Sequence, residues 1–296
     1  MTPSAFAMPS KFVAGAFFVS LATIPLPVFA SNLVVNGSFD EPGTTIGQFP
    51  KTVNLPGWSS TCINQCQATQ TQLNSFGFSF VVDDTMDNRS GGGVLSTTSA
   101  GTEQLYFWGP ENTVSNSNNG FTGSPSGGKF VAIDGDFGRA KLSQVVNGLD
   151  VNKEYTLSFE YAGAQQGLNA TDFSGDTVQK WLVDGIGPQI TVGPWTNPSR
   201  GFTPWQSFST VFTPSSASID LQFTPFGNVV GGGEPTGFDS LPPFLLLDNV
   251  QIIESNGGGG GGGDPIPVPG PLPLAGAASA YSFARRIRQR LRAARI

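Results

Sequence analysis

Tyr155-Thr156-Leu157-Ser158-Phe159-Glu160-Tyr161 alternates large apolar residues with smaller or polar ones, one for one. Ile219-Asp220-Leu221-Gln222-Phe223 does the same. Successive side chains of a β-strand point to opposite faces, so this alternation marks strands with one buried face. Working outward, further strand-length apolar segments lie between clusters of Gly, Asn, Pro and Ser. They are Leu33–Val35, Phe78–Val82, Gln104–Trp108, Lys129–Ile133, Lys141–Val146, Val178–Val183, Gln189–Val192, Trp205–Phe212 and Phe244–Ile253. No segment of the core carries a helical period. Many short strands with frequent turns predict an all-β fold, a two-sheet β-sandwich or jelly roll. The polar stretches 112–128 and 228–243 are expected to be surface loops.

Composition agrees. The chain has 296 residues, with 24 Phe and 39 Gly, and only 12% are charged. Residues 31–256 hold eight basic and twenty acidic side chains, a net charge of −12. Nucleic acid is held through Lys and Arg, so this surface disfavours it and suits cations and neutral sugars. There is no histidine. That removes Ser-His-Asp and Cys-His nucleophile systems and His-ligated zinc.

Both ends read as targeting segments. Residues 1–30 carry Lys11, an apolar run from Phe12 to Leu26 and a small residue, Ala30, at the expected cleavage point. This predicts a signal peptide with an N-terminal helix, too short for a membrane span. Export implies an oxidising compartment, in which Cys62 and Cys66 form a small local disulfide. At the other end seven glycines, Gly257 to Gly263, open a Gly/Pro-rich linker over 257–267. Residues 268–296 follow: a Pro-rich motif, a short apolar stretch from Leu274 to Phe283, and six arginines. The apolar part is short for a permanent span, and the basic end favours the cytoplasmic side.

This tail resembles the PEP-CTERM sorting signal of exopolysaccharide-producing bacteria. Pro269, Gly270 and Pro271 stand where the motif belongs, in a form associated with cyanobacteria, and Arg285 and Arg286 begin the basic end. The resemblance implies an exosortase-type processing enzyme as partner, a C-terminal sorting helix, brief membrane insertion, and delivery to the cell surface or extracellular matrix. The core, residues 31–256, resembles the galactose-binding-like jelly roll of many carbohydrate-binding modules. The segments that carry this are Leu33 to Asp40, Leu55-Pro56-Gly57-Trp58, Gly127 to Gly135, Leu142-Ser143-Gln144, Tyr155 to Phe159, Trp205 to Thr213 and Leu247 to Ile252. An insertion around residues 62–126 departs from that pattern.

The resemblance implies a structural Ca²⁺ where the first and last strands meet, with Asp40 and Asp248 as ligands. Calcium takes six to eight oxygens, many from carbonyls, so two carboxylates can seed a site. Asp134-Gly135-Asp136 and Asp83-Asp84…Asp87-Asn88 are expected to be solvated turns. For an extracellular polysaccharide, stacking needs exposed rings. Trp58, Trp181 and Trp205 are expected in the core. Trp108, with Tyr106 beside it, and Trp195, at an expected loop tip, are the candidate carbohydrate-binding residues. Glu103, Glu111, Glu234 and Asp239 form no recognisable catalytic constellation, so no enzyme activity is expected.

Overall fold

A computed structural model of the chain describes residues 31–50, 52–64, 77–88, 92–98, 101–111, 117–167, 175–231 and 241–255. The signal segment, the sorting tail with Pro269, Gly270, Pro271, Arg285 and Arg286, and Cys66 lie outside them. The described residues form thirteen strands and one short 3-10 helix, Asp84–Asp87.

The strands form two sheets. In the eight-stranded sheet β1 (Gly47–Phe49), β3 (Ser79–Val82), β6 (Phe130–Asp134), β13 (Pro243–Glu254), β8 (Tyr155–Gly167), β5 (Gly101–Phe107) and β4 (Val94–Thr98) follow one another. β11 (Thr203–Phe212) also pairs with β8. The five-stranded sheet runs β10 (Ile190–Asn197), β9 (Thr177–Asp184), β12 (Ser218–Val229), β7 (Ala140–Asn147), β2 (Ser59–Cys62). All pairings are antiparallel, as in the ladder of β13 on β8.

The alternation read from the sequence builds the core. Leu157 and Phe159 of β8 face Trp181 and Val183 of β9 and Leu221 and Phe223 of β12, all buried in one cluster between the sheets. Phe159 meets Phe223 edge-on, centroids 5.1 Å apart. Trp58 and Trp181 are buried here, as expected. A second cluster lies on the opposite face of the larger sheet. It gathers Phe130, Ala132, Ala162, Ala164, Phe244 and Leu246 beneath Met86, Leu105, Phe107 and Phe121. The insertion is thus a lid with an apolar underside, which buries the second face of the central strands.

β13 changes phase midway. Leu245 and Leu247 point between the sheets, and so do Val250 and Ile252. A register shift between Asp248 and Gln251, with Asn249 at φ 50°, makes that switch. Such bulges re-aim side chains. The N-terminal segment docks beside it, through Leu33 N–H to the Ile252 carbonyl and Val250 N–H to the Gly37 carbonyl, both 2.9 Å. Gly37 must be glycine, since a Cβ there would lie 1.9 Å from the Val250 carbonyl oxygen. Leu33–Val35 is therefore not a strand; Asn36 and Phe39, at φ 50° and 58°, turn the chain away.

Candidate functional site

The bulge on β13 leaves Asp248 on the lid side of the larger sheet, fully buried. Its partner across the ladder is Glu160 of β8. The lid loop closes over both: Ser124 Oγ donates to Glu160 Oε2 at 2.8 Å and Ser126 Oγ to Oε1 at 3.1 Å. Asp248 Oδ1 accepts from Asn249 N–H at 2.6 Å. Its Oδ2 is buried and has no hydrogen-bond partner. The one Ser124 hydroxyl proton is committed to Glu160, so that hydroxyl, though close, does not satisfy it. Burial raises the Asp248 carboxyl to about 8, and the charges of Glu160 and Asp40 add to this against the pull of Ser124 and the Asn249 N–H.

Asp40 is the third carboxylate of this corner. Its Oδ1 accepts from Lys129 N–H at 3.0 Å and pairs with Lys129 Nζ at 3.4 Å. Gly128 packs so tightly here that a Cβ would sit 1.9 Å from Asp40 Oδ2. Beside the corner opens a cleft of about 380 Å³ walled by Asp83, Asp84, Ser124, Gly128 and Lys129. The two predicted metal ligands therefore share one corner, and Glu160 and Ser124 join them. In the sequence Glu160 is one polar residue of an alternating strand. Its ladder position opposite Asp248 is the signal that finds it.

An orphaned, buried carboxylate oxygen fits a cation, because a dication would supply the missing partner and offset the repulsion of three acids. Among the described residues no group of three or more Cys, Asp or Glu is preassembled as a metal cluster. Carbonyl and hydroxyl oxygens would complete the shell, which is usual for calcium and unusual for zinc.

The predicted aromatic platform needs correction. Trp108 is 0% exposed and Tyr106 1%. Arg200 lies over the Trp108 ring, 4.7 Å from its centroid, and Trp108 N–H donates to the Gln165 carbonyl. Neither ring can offer a face to a ligand. The lid loop folds back over them: Asn119 Nδ2 donates to the Trp108 carbonyl at 2.8 Å.

Trp195 lies in β10, past a register shift that follows Val192, instead of at a loop tip. It is half-buried, packed against the core cluster between the sheets. Its Nε1 donates to Gln179 Oε1 at 3.0 Å, which fixes the indole. Tyr161 packs on it, centroids 5.1 Å apart at 42°. Tyr161 Oη donates to Gln206 Oε1 at 3.2 Å, leaving the Gln206 amide N–H groups at the surface. Phe208 lines the floor against Phe159. Trp205, expected in the core, is half-buried instead, edge-on to Phe130 with its Nε1 on the Thr122 carbonyl.

Of the two expected solvated turns, Asp134-Gly135-Asp136 is corrected, and in the other Asp84 is exposed and Asp83 and Asn88 partly so, while Asp87 is buried. Asp134 and Asp136 are each 1% exposed, and Asp87 3%. Asp134 Oδ1 caps the turn by accepting the N–H groups of Asp136 and Phe137. Burial raises its carboxyl well above the carboxylate range, with the charge of Asp136 adding and those N–H bonds opposing. Asp87 Oδ2 is held by the Glu111 N–H at 3.0 Å. Cys62 is disulfide-bonded.

No protein-family profile matches the chain, and no curated protein does. Solved structures do. The carbohydrate-binding module TmCBM61, in complex with β-1,4-galactotriose, is similar at 12% identity and a TM-score of 0.35, over 76% of this chain and 100% of that one. The K3 adhesin domain of Lys-gingipain from Porphyromonas gingivalis is similar at 14% identity and a TM-score of 0.28, over 67% and 92%. The enzymatically active domain of tailspike protein 4 from bacteriophage CBA120 is similar at 11% identity and a TM-score of 0.32, over 76% and 21%.

Proposed function

We propose that the chain is an exported, surface- or matrix-associated, non-catalytic protein whose sandwich, read as a galactose-binding-like jelly roll, binds extracellular carbohydrate. The observation that carries this is the half-exposed ring pair Tyr161 and Trp195, with the exposed Gln206 amide beside it. Sugars present apolar faces to such rings and hydroxyls to such amides. Trp195 is held by Gln179, so the platform is preorganised and little ordering is lost on binding.

A calcium ion at Asp40, Asp248 and Glu160 would act structurally. It would join the N-terminal segment, the two central strands and the lid loop, and it would keep Asp248 ionised. Export and processing by an exosortase-type enzyme rest on the terminal segments of the sequence.

The test is a thermal-shift screen of the chain against neutral mono- and polysaccharides. A glycan that binds only the folded state raises its melting point. The expected result is a rise with one glycan that Trp195→Ala and Gln206→Ala abolish. A rise that survives both substitutions rejects the ring pair as the site. No rise with any glycan leaves a structural matrix domain without saccharide specificity.

A further inference from the structure

The outer face of the five-stranded sheet is uncovered by any described residue, and its side chains stand in register. Lys180 of β9 is the direct ladder partner of Phe226 of β12. Lys180 Nζ lies 4.1 Å from the Phe226 centroid, and the Arg139 guanidinium approaches the same ring at 5.8 Å. The next row holds Leu182 opposite Thr224, and Lys141 opposite Thr61. A third row runs Asp184, Gln222, Ser143, Ser59. Every one of these side chains is partly or fully exposed.

The charges are sorted along this face. Residues 31–256 hold eight basic residues against twenty acidic ones, and six of the basic ones are described. Lys129 and Lys153 are paired with Asp40 and Glu254. Arg200 covers Trp108. The other three, Arg139, Lys141 and Lys180, gather at one end of this sheet face. Lys141 and Lys180 make no ion pair with any described residue. The two acids of the face stand at its other end, engaged by amides: Asp184 by Gln189 Nε2 at 3.1 and 3.2 Å, and Asp220 by Gln222 Nε2.

We infer that this face is a second binding surface, for an acidic polysaccharide whose sugars carry carboxylates. The Phe226 ring holds the Lys180 ammonium over its face, and the ammonium so ordered meets the carboxylate of a sugar. The hydroxyls and amides of the following rows face the remaining sugar hydroxyls. Lys180 on β9 and Lys141 on β7 stand two strand spacings apart, roughly 10 Å, about the length of a disaccharide. Lys141 and Lys180, the two cations without an ion pair among the described residues, match the sparse charge of a uronate chain on a domain of net charge −12. They are too few for the dense phosphates of nucleic acid. Trp195 stands on β10 of the same sheet, but its indole packs inward on Tyr161 of β8 and the core between the sheets, away from this outer face, so the two surfaces stand or fall separately.

The experiment is affinity electrophoresis of the full chain through gels containing polygalacturonate, neutral galactan, or single-stranded DNA. The expected result is retardation in polygalacturonate that weakens with added salt. Binding should weaken at least tenfold in Lys141→Gln/Lys180→Gln, whose exposed substitutions leave the melting point near that of the parent. Phe226→Ala should weaken it too. Trp195→Ala, run in parallel, separates the surfaces: uronate retention lost with Trp195→Ala but kept in the lysine variant overturns the inference. So does equal retardation by DNA, which would mark non-specific attraction, and so does no retardation by polygalacturonate.

Discussion

Trp108 shows how little a single residue type says about its role. Its neighbours Tyr106 and Phe107 are also apolar, so the segment carries no alternation from which a buried face could be told from an open one. Trp108 is covered by Arg200, far away in sequence, and by the following loop through Asn119, and no local pattern announces such cover. Trp108→Ala should accordingly cost about 3–5 kcal/mol, read as a fall in urea midpoint, with no loss of glycan binding that stability does not explain. Asp134 was hidden in the same way, since Asp-Gly-Asp reads as a wet turn. Its raised carboxyl keeps a proton in the folded state that the unfolded chain releases above about pH 4. Folding stability from this group therefore falls as pH rises from there through the raised value. Asp134→Asn retains the capping oxygen and removes the titration. The expected outcome is a shallower fall in melting point from pH 5 upward than in the parent. A residual slope remains, because burial raises Asp87 as well.

At the scale of the element, the strands with an alternating or continuous apolar run were legible, β3 and β6 among them, and three short ones without such a run were not. β8 and β12 appear where period-2 patterning places them, and β9 and β13 where apolar runs do, with ends shifted by up to six residues. β1, β2 and β4 are three to five residues long and too short to show a period. β12 runs on to Val229 through Pro225, where the sequence reading stops at Phe223. Pairing with β7 ends at Phe223 while pairing with β9 continues, so the missing proline N–H falls where β12 has lost one of its two neighbours. The Asp40–Asp248 corner was half legible: its two aspartates came from resemblance, while Glu160 and Ser124 needed the ladder and the lid. Calcium at this corner should raise the melting point and EDTA should lower it. Asp248→Asn should abolish the difference between the two conditions, and an undiminished calcium response in that variant would place the ion elsewhere.

For the whole molecule, composition and periodicity were enough for an all-β sandwich, but not for its second core. The insertion looked like an interruption, and in the structure it supplies the cover that lets the central strands be apolar on both faces. The compact unit that holds the thirteen described strands ends at Glu254. Removing residues 255–296 should leave the melting temperature of that unit unchanged, checked by calorimetry on the truncated and full chains.

The last strand is not an edge strand. β13 lies between β6 and β8 and is bonded to both, and the N-terminal segment docks on its second half. On the ribosome, the sheet would therefore lack its middle until almost the whole domain had been made. Earlier strands would wait with unmatched edges, and the segment from Leu33 to Gly37 would find its partners only on β13. Folding is a terminal event in the life of the nascent chain, and a chain bound for passage through a narrow channel would remain threadable until that strand arrives.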